Sequence, residues 1–179
     1  LKRLKITTNC RPGSGEYEQY VLQELALYRA YAALTDASLK TRLVHITYRD
    51  TLGKVAPITT WAFFIEDVED LAQRMHQKVM TAQGALFADL EQSPLAMISV
   101  FEYFVGNTDW SVAAQHNIAL LVDSSATKVT PMAYDFDWSV AVDARYAFPD
   151  SRLPLKRVSE RLYRGRCLTP VQLSSTIAP

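Results

Sequence analysis

The sequence predicts an α+β fold in two lobes, an antiparallel sheet carrying one long helix and then a mainly helical half built around a hairpin. Three stretches predict it. Residues 41–49 and 55–65 alternate as strands and are joined by DTLG, a hairpin turn of Asp and Gly type. Before them YEQYVLQELALYRAYAAL is a run of good helix formers with neither Gly nor Pro inside. After them SPLAMISVFEYFVG is apolar nearly all round, and it delivers the chain into a polar knot, an IALLV strand, a turn and VTPMAY. The lobes divide as 1–66, a sheet plus a helix over 16–34, and 67–179.

Taken in order, residues 1–8 read as a short strand and RPGSG as a turn. Ser14 is placed to cap the first helix, along which Tyr17, Tyr20, Val21, Leu27, Tyr28 and Tyr31 form one face with Glu24 inside the stripe. A carboxylate on an apolar face is costly unless paired. Lys5 is the nearest upstream base able to reach it, so a Lys5–Glu24 pair is expected, the alternative for Lys5 being a solvated edge charge. ITTWAFFI is nearly continuous in apolar and β-branched residues, as in a central strand covered on both sides. Asp67 can cap a helix whose Val68, Leu71, Ala72, Met75 and Val79 recur at helical intervals. Ser93 as cap, Pro94 at the first turn and Gly106 at the end bound the apolar helix.

With 49% hydrophobic and 21% charged residues, 179 residues suffice for one core or two small ones. Nineteen basic residues balance nineteen acidic ones, so no global field favours nucleic acid. No apolar run approaches a membrane span, and the compartment is not specified by the sequence. Cys10 and Cys167 can pair once or stay free. His45 and His76 stand without partners at metal-ligand spacing and read as structural.

The chemistry concentrates between Gly106 and Trp138. Asp109, Asn117, Asp135 and Asp137 lie in two knots, residues 106–117 and 134–138, on either side of a hairpin that brings its ends together. Hard oxygen ligands of this kind suit Mg²⁺ or Mn²⁺. Asp109 is assigned to orient or deprotonate a nucleophile, and Asn117 with Asp135 to hold the cation. Singly, each is an ordinary turn-former or cap. Clustered beside two nearly uncharged strands, they point to a site. Asn107 is expected to brace the loop through its side chain, and His116 to bond the loop backbone.

This order of elements, with these residues, resembles the protein-kinase-like superfamily over residues 4–138, closer to its atypical bacterial HipA-type and spore-coat CotH-type branches than to eukaryotic protein kinases. The resemblance implies ATP as cofactor with Mg²⁺ or Mn²⁺. Lys5 in LKI would contact the nucleotide phosphates, Glu24 would pair with it, and Glu66 and Asp67 would form the hinge that meets the adenine through backbone groups. Asp109 in GNTD would be the catalytic-loop aspartate, Asn117 in QHN the metal-binding asparagine, and Asp135 in YDFD the metal-binding aspartate. Asp137 stands where those kinases have Gly, as a second metal ligand or a turn carboxylate. The loop from Asp109 to Asn117 exceeds the HRDxxxxN spacing by three residues; no glycine-rich loop precedes Lys5 and the helical part after the metal loop is thin, so the segment is expected to be truncated at both ends or a minimal version.

Beyond Trp138 a basic stretch over 145–166 carries seven Arg and Lys. Its arginines either bind an acidic acceptor or line a solvated helix, SERLYRG, with Glu160 and Arg164 paired. The tail LTPVQLSSTIAP reads as a linker or frayed end. The expected activity is transfer of the ATP γ-phosphoryl group to an acceptor hydroxyl, on a protein or a small molecule, that the sequence does not identify. A catalytically silent kinase-like module is the alternative, and a metallophosphoesterase is disfavoured because only three histidines are available, none in an HxH pair.

Overall fold

The computed structural model describes residues 4–167, so residues 1–3 and the 168–179 tail lie outside the described part. The described residues form a mixed α+β structure with two small antiparallel sheets and three α-helices. The first sheet contains β1 (Lys5–Thr8), β2 (Thr41–Tyr48) and β3 (Ile58–Ile65), with β3 in the middle. Antiparallel register sets Lys5 against Ile65 on one side and Thr41 against Ile65 on the other. Asp50 makes the β2–β3 turn by accepting the backbone N–H groups of Leu52, Lys54 and Val55. Burial in β3 is confined to Thr60, Ala62 and Phe63. Trp61 is partly open and stacks on His45 at 4.5 Å, outside the core.

Helix α1 (Gly15–Ala32) follows Ser14, whose backbone carbonyl, rather than its hydroxyl, starts the helix by accepting Glu18 N–H. It buries Tyr17, Tyr20, Val21, Glu24, Leu25, Tyr28 and Tyr31, the stripe expected from the spacing except that Leu25 replaces Leu27 at its centre. Glu18 ties it to β3 through Trp61 N–H and the Thr60 hydroxyl.

Helix α2 (Val68–Arg74) starts at Asp67, whose carboxylate accepts Glu69 N–H at 3.0 Å. It stops earlier than the periodicity suggests. His76 adopts φ +55°, and Val79 lies in β4 (Lys78–Val79), the edge of the second sheet. That sheet is completed by the hairpin β5 (Ile118–Val122) and β6 (Val129–Ala133), closed by the Asp123 carboxylate on Thr127 N–H and Lys128 N–H.

Helix α3 (Gln92–Val105) begins two residues earlier than predicted, with Glu91 as its cap, so Ser93 and Pro94 lie inside the first turn. It is buried along Leu95, Ile98, Phe101, Glu102 and Val105, while Val100 and Phe104 are exposed, so only part of its circumference is core. One hydrophobic cluster runs from α1 and β3 through α3 into β5 and β6, so the two sheets share a core. The half after residue 66 is less helical than expected: beyond α2 and α3 it is a sheet and irregular chain. SERLYRG forms no helix. Its arginines are drawn instead to backbone carbonyls, Arg161 to Phe104 O and Arg164 to Thr108 O and Trp110 O. Cys10 and Cys167 are both free and exposed.

Candidate functional site

The site begins where α3 ends. Gly106 takes φ +72°, and a Cβ there would meet Val140 Cγ2 at 2.5 Å, so glycine is required on both counts. The chain then enters Asn107, whose Oδ1 accepts Asp109 N–H at 2.9 Å, the brace expected from the sequence. Asn117, φ +54°, reaches back from the far end of the loop. Its Nδ2 donates to Asp109 O at 2.7 Å and to Asp109 Oδ2 at 3.1 Å. His116 bonds the Asp109 side chain rather than the loop backbone, Nε2 to Oδ1 at 3.0 Å. Its backbone instead pairs with Ser111 in both directions, closing the loop between. Asp109 is thus held on both carboxylate oxygens and on its own carbonyl.

The second knot leaves β6. Tyr134 N–H donates to Asn117 O at 3.1 Å, which joins the knots across the hairpin mouth. Asp135 sits at φ +66°, a left-handed conformation that Asp and Asn tolerate better than most side chains. Its N–H donates to Tyr28 Oη at 2.8 Å. Phe136 is fully buried against Tyr28, Tyr31 and Phe101, with ring centroids at 4.9, 5.9 and 5.5 Å. Asp137 receives the Tyr146 hydroxyl at 3.1 Å. Helix α1 therefore supplies three side chains, one per turn, to the acidic knot: Glu24 to Phe136 N–H, Tyr28 to Asp135 N–H and Tyr31 to Ala133 N–H.

Carboxyl groups crowd one another here. Burial, reinforced by the negative charges of Asp135 and Asp137, pushes the Glu24 carboxyl up to about 8. Burial, then the neighbouring Asp137, raises Asp135 to about 6, and Asp109 adds to the repulsion. Asp137 is raised by burial although the Tyr146 hydroxyl and Asp135 both donate to it. Under the loop, Glu102 is 1% exposed, and burial holds it well above the usual carboxylate range.

Lys5 is not paired with Glu24. Its Nζ lies 3.1 Å from Asp67 Oδ2, because the register opposite Ile65 sets it at the hinge end of its strand, within reach of the residue that caps α2. Glu66 and Asp67, expected to form a hinge, are internally committed. Glu66 N–H donates to Lys40 O at 2.8 Å, and its carboxylate holds Lys40 N–H and the Arg74 guanidinium. Asp67 turns its carboxylate to Glu69 N–H and Lys5.

Two clefts flank the cluster. One, of about 380 Å³, is lined by Lys5, Glu24, Tyr28, Glu66, Asp135 and Asp137, so Lys5 and Glu24 face the same space without touching. The other, of about 560 Å³, is lined by Thr108, Asp109, Trp110, His116, Arg152 and Arg164. Among the described residues no three His, Cys, Asp or Glu side chains are arranged to hold a metal ion by themselves. Asp135 and Asp137 offer two carboxylates, and the Asn117 amide, its nitrogen spent on Asp109, offers an oxygen. Such a set suits a cation that retains waters and takes substrate phosphate oxygens, the usual habit of Mg²⁺.

Sequence reasoning named Tyr28 and Arg164 without giving either its place at the site, and it missed the contact of Tyr146. Tyr28 had a signal: a tyrosine in a buried stripe must find its hydroxyl a partner. Among the described residues no helix is long and apolar enough to cross a membrane. Comparison with protein-family models, curated proteins and solved structures gives no match for this chain.

Proposed function

We propose that the protein is a phosphotransferase of the protein-kinase-like kind, passing the γ-phosphoryl group of ATP to an acceptor hydroxyl. The observation that carries this reading is the convergence at the hairpin mouth: Asn117 grips Asp109, Tyr134 N–H bonds Asn117 O, and Asp109 is near enough to raise the Asp135 carboxyl. Buried carboxylates that repel one another are stable only as acids or beside a cation. The cleft with Lys5, Glu24 and the two acids takes the nucleotide, and the cleft beyond Asp109 takes the acceptor. An in-line transfer needs donor and acceptor on opposite sides of the reacting group, with catalysis supplied mostly by positioning and charge.

Asp109 orients the acceptor hydroxyl and takes its proton. Asn117, Asp135 and Asp137 would hold Mg²⁺ or Mn²⁺, which when bound offsets phosphate charge. Lys5, half exposed at the cleft wall, meets the phosphates. Element order supports the same family: strand, helix, two strands, a hinge, helices, loop, hairpin and acidic loop. Radiolabelled γ-phosphate transfer, or ATP turnover with Mg²⁺, tests it. Metal-dependent turnover lost in Asp109→Asn is expected, and no turnover in the wild type rejects the assignment.

One observation favours a second reading, a silent nucleotide- or partner-binding module. Lys5 is engaged by Asp67 and not by Glu24, whereas active kinases need the strand lysine and helix glutamate in place together. A melting-temperature rise with Mg²⁺ and ATP, unaccompanied by turnover, distinguishes this reading.

A further inference from the structure

Past the acidic knot the chain returns to α3 and lies along it. Arg161 donates through Nε and Nη2 to Phe104 O, both at 3.4 Å, covering a carbonyl that the end of α3 leaves open. Gly165 lies so close to Ser99 that a Cβ would stand 2.3 Å from the Ser99 Cβ. Tyr163 packs against Tyr103 at 6.1 Å and donates its hydroxyl to Arg166 O. Between them Arg164 points under the catalytic loop. Its Nη1 donates to Thr108 O and to Trp110 O, both at 2.5 Å, and its guanidinium carbon sits 5.5 Å from the centre of the Trp110 ring.

Those two carbonyls belong to the residues on either side of Asp109. We infer that residues 161–166 form a strap whose Arg164 is a positioning residue, fixing the backbone on both sides of Asp109 so that its carboxylate stands ready for the acceptor. The assignment of Asp109 rests on the phosphotransferase reading; the grip of Arg164 on the loop does not. From the N-terminal side the loop is held by Asn107, from the C-terminal side by Asn117, and from below by a cation that a single charged donor shares between two backbone dipoles. Without it both carbonyls lose a partner, and the loop can rotate about Asp109.

The test combines hydrogen exchange with kinetics on Arg164→Ala, and on Gly165→Ala, which lifts the strap from Ser99 without removing a charge. In both, the amides of Ser111 and His116, which close the loop, are expected to exchange at least about tenfold faster, with amides of β2 and β3 unchanged. In kinetics, kcat is expected to fall by about tenfold or more while KM for ATP stays put, since the nucleotide cleft is untouched. Arg29→Ala, an exposed arginine in the last turn of α1 that lines neither cleft, should match wild type in both. If Arg164→Ala fails to fold, Gly165→Ala carries the test. Unchanged exchange at Ser111 and His116, or acceleration spread evenly over the protein, overturns the strap. An inactive wild type overturns the phosphotransferase reading instead, and the exchange result still decides whether Arg164 holds the loop.

Discussion

The Tyr28 hydroxyl accepts the backbone N–H of Asp135 at 2.8 Å, so a helix from one end of the chain sets the conformation of an acidic loop more than a hundred residues later. Asp135 at φ +66° cannot hold that geometry cheaply alone. Removing the hydroxyl in Tyr28→Phe orphans a largely buried N–H, which costs about 1–3 kcal/mol. Urea unfolding is expected to show that loss. Stability equal to wild type would mean that water replaces the hydroxyl and that α1 does not position the loop.

The buried acids make stability depend on pH in an unusual direction. Glu24 titrates at about 8 in the folded protein and in the ordinary carboxylate range once unfolded. Between those values the folded state keeps a proton that the unfolded chain has released, so stability falls as pH rises through the window. Asp135, Asp137 and Glu102, all raised by burial, add in the same sense. Glu24→Gln is neutral throughout and keeps an oxygen for Phe136 N–H. Its unfolding free energy between pH 5.5 and 8 should decline less steeply than that of wild type, by up to about 1.4 kcal/mol per pH unit. Parallel slopes would remove Glu24 as a source.

A cation that displaces those protons should bind better at high pH. The rise in melting temperature produced by Mg²⁺ with ATP is expected to grow from pH 5.5 to pH 8, because Asp135 and Asp137 must be ionised to bind. A shift independent of pH would argue that the metal rides on the nucleotide alone.

Asp109→Asn keeps the backbone bond to Asn107 and an oxygen for one of the His116 and Asn117 bonds, but cannot accept a proton. Its turnover should fall by about 10²–10⁴-fold, the usual worth of a general base, with ATP affinity unchanged. A loss confined to KM would move Asp109 out of the proton-accepting role.

Lys5 offers a milder test. Its pair with Asp67 is half exposed, so Lys5→Met should alter stability by less than about 1 kcal/mol. ATP affinity should nonetheless weaken, since the lysine lines the cleft proposed for the nucleotide. Unaltered affinity would leave Lys5 as a tie between strand and hinge only.

What could be read beforehand was what local periodicity encodes. The α1 stripe around Glu24, the Asp50 turn, the Asp67 cap, the Gly106 stop and the IALLV hairpin each follow from residues within a few positions of one another. The meeting of Asn117 with Tyr134, which joins the two knots, was legible because a hairpin must close on its own ends. Partners chosen across the chain were not. Lys5 took Asp67 because strand register, which no single segment carries, brought it to the hinge. The SERLYRG arginines had helical spacing but found open carbonyls at the end of α3 and in the 106–117 loop, and those bonds outweigh a short exposed helix. Residues 78–79 were read as helix because Val79 kept the period, although His76 had already left it.

The most direct measurement is calorimetric titration of Mn²⁺ and ATP into wild type and Asp135→Asn, the asparagine retaining tolerance of the left-handed backbone. Saturable binding of one nucleotide that requires the metal in wild type, and that is lost in a folded Asp135→Asn variant, is the predicted result. Equal binding by both proteins, or none by either, would contradict a shared cation between the two acidic loops.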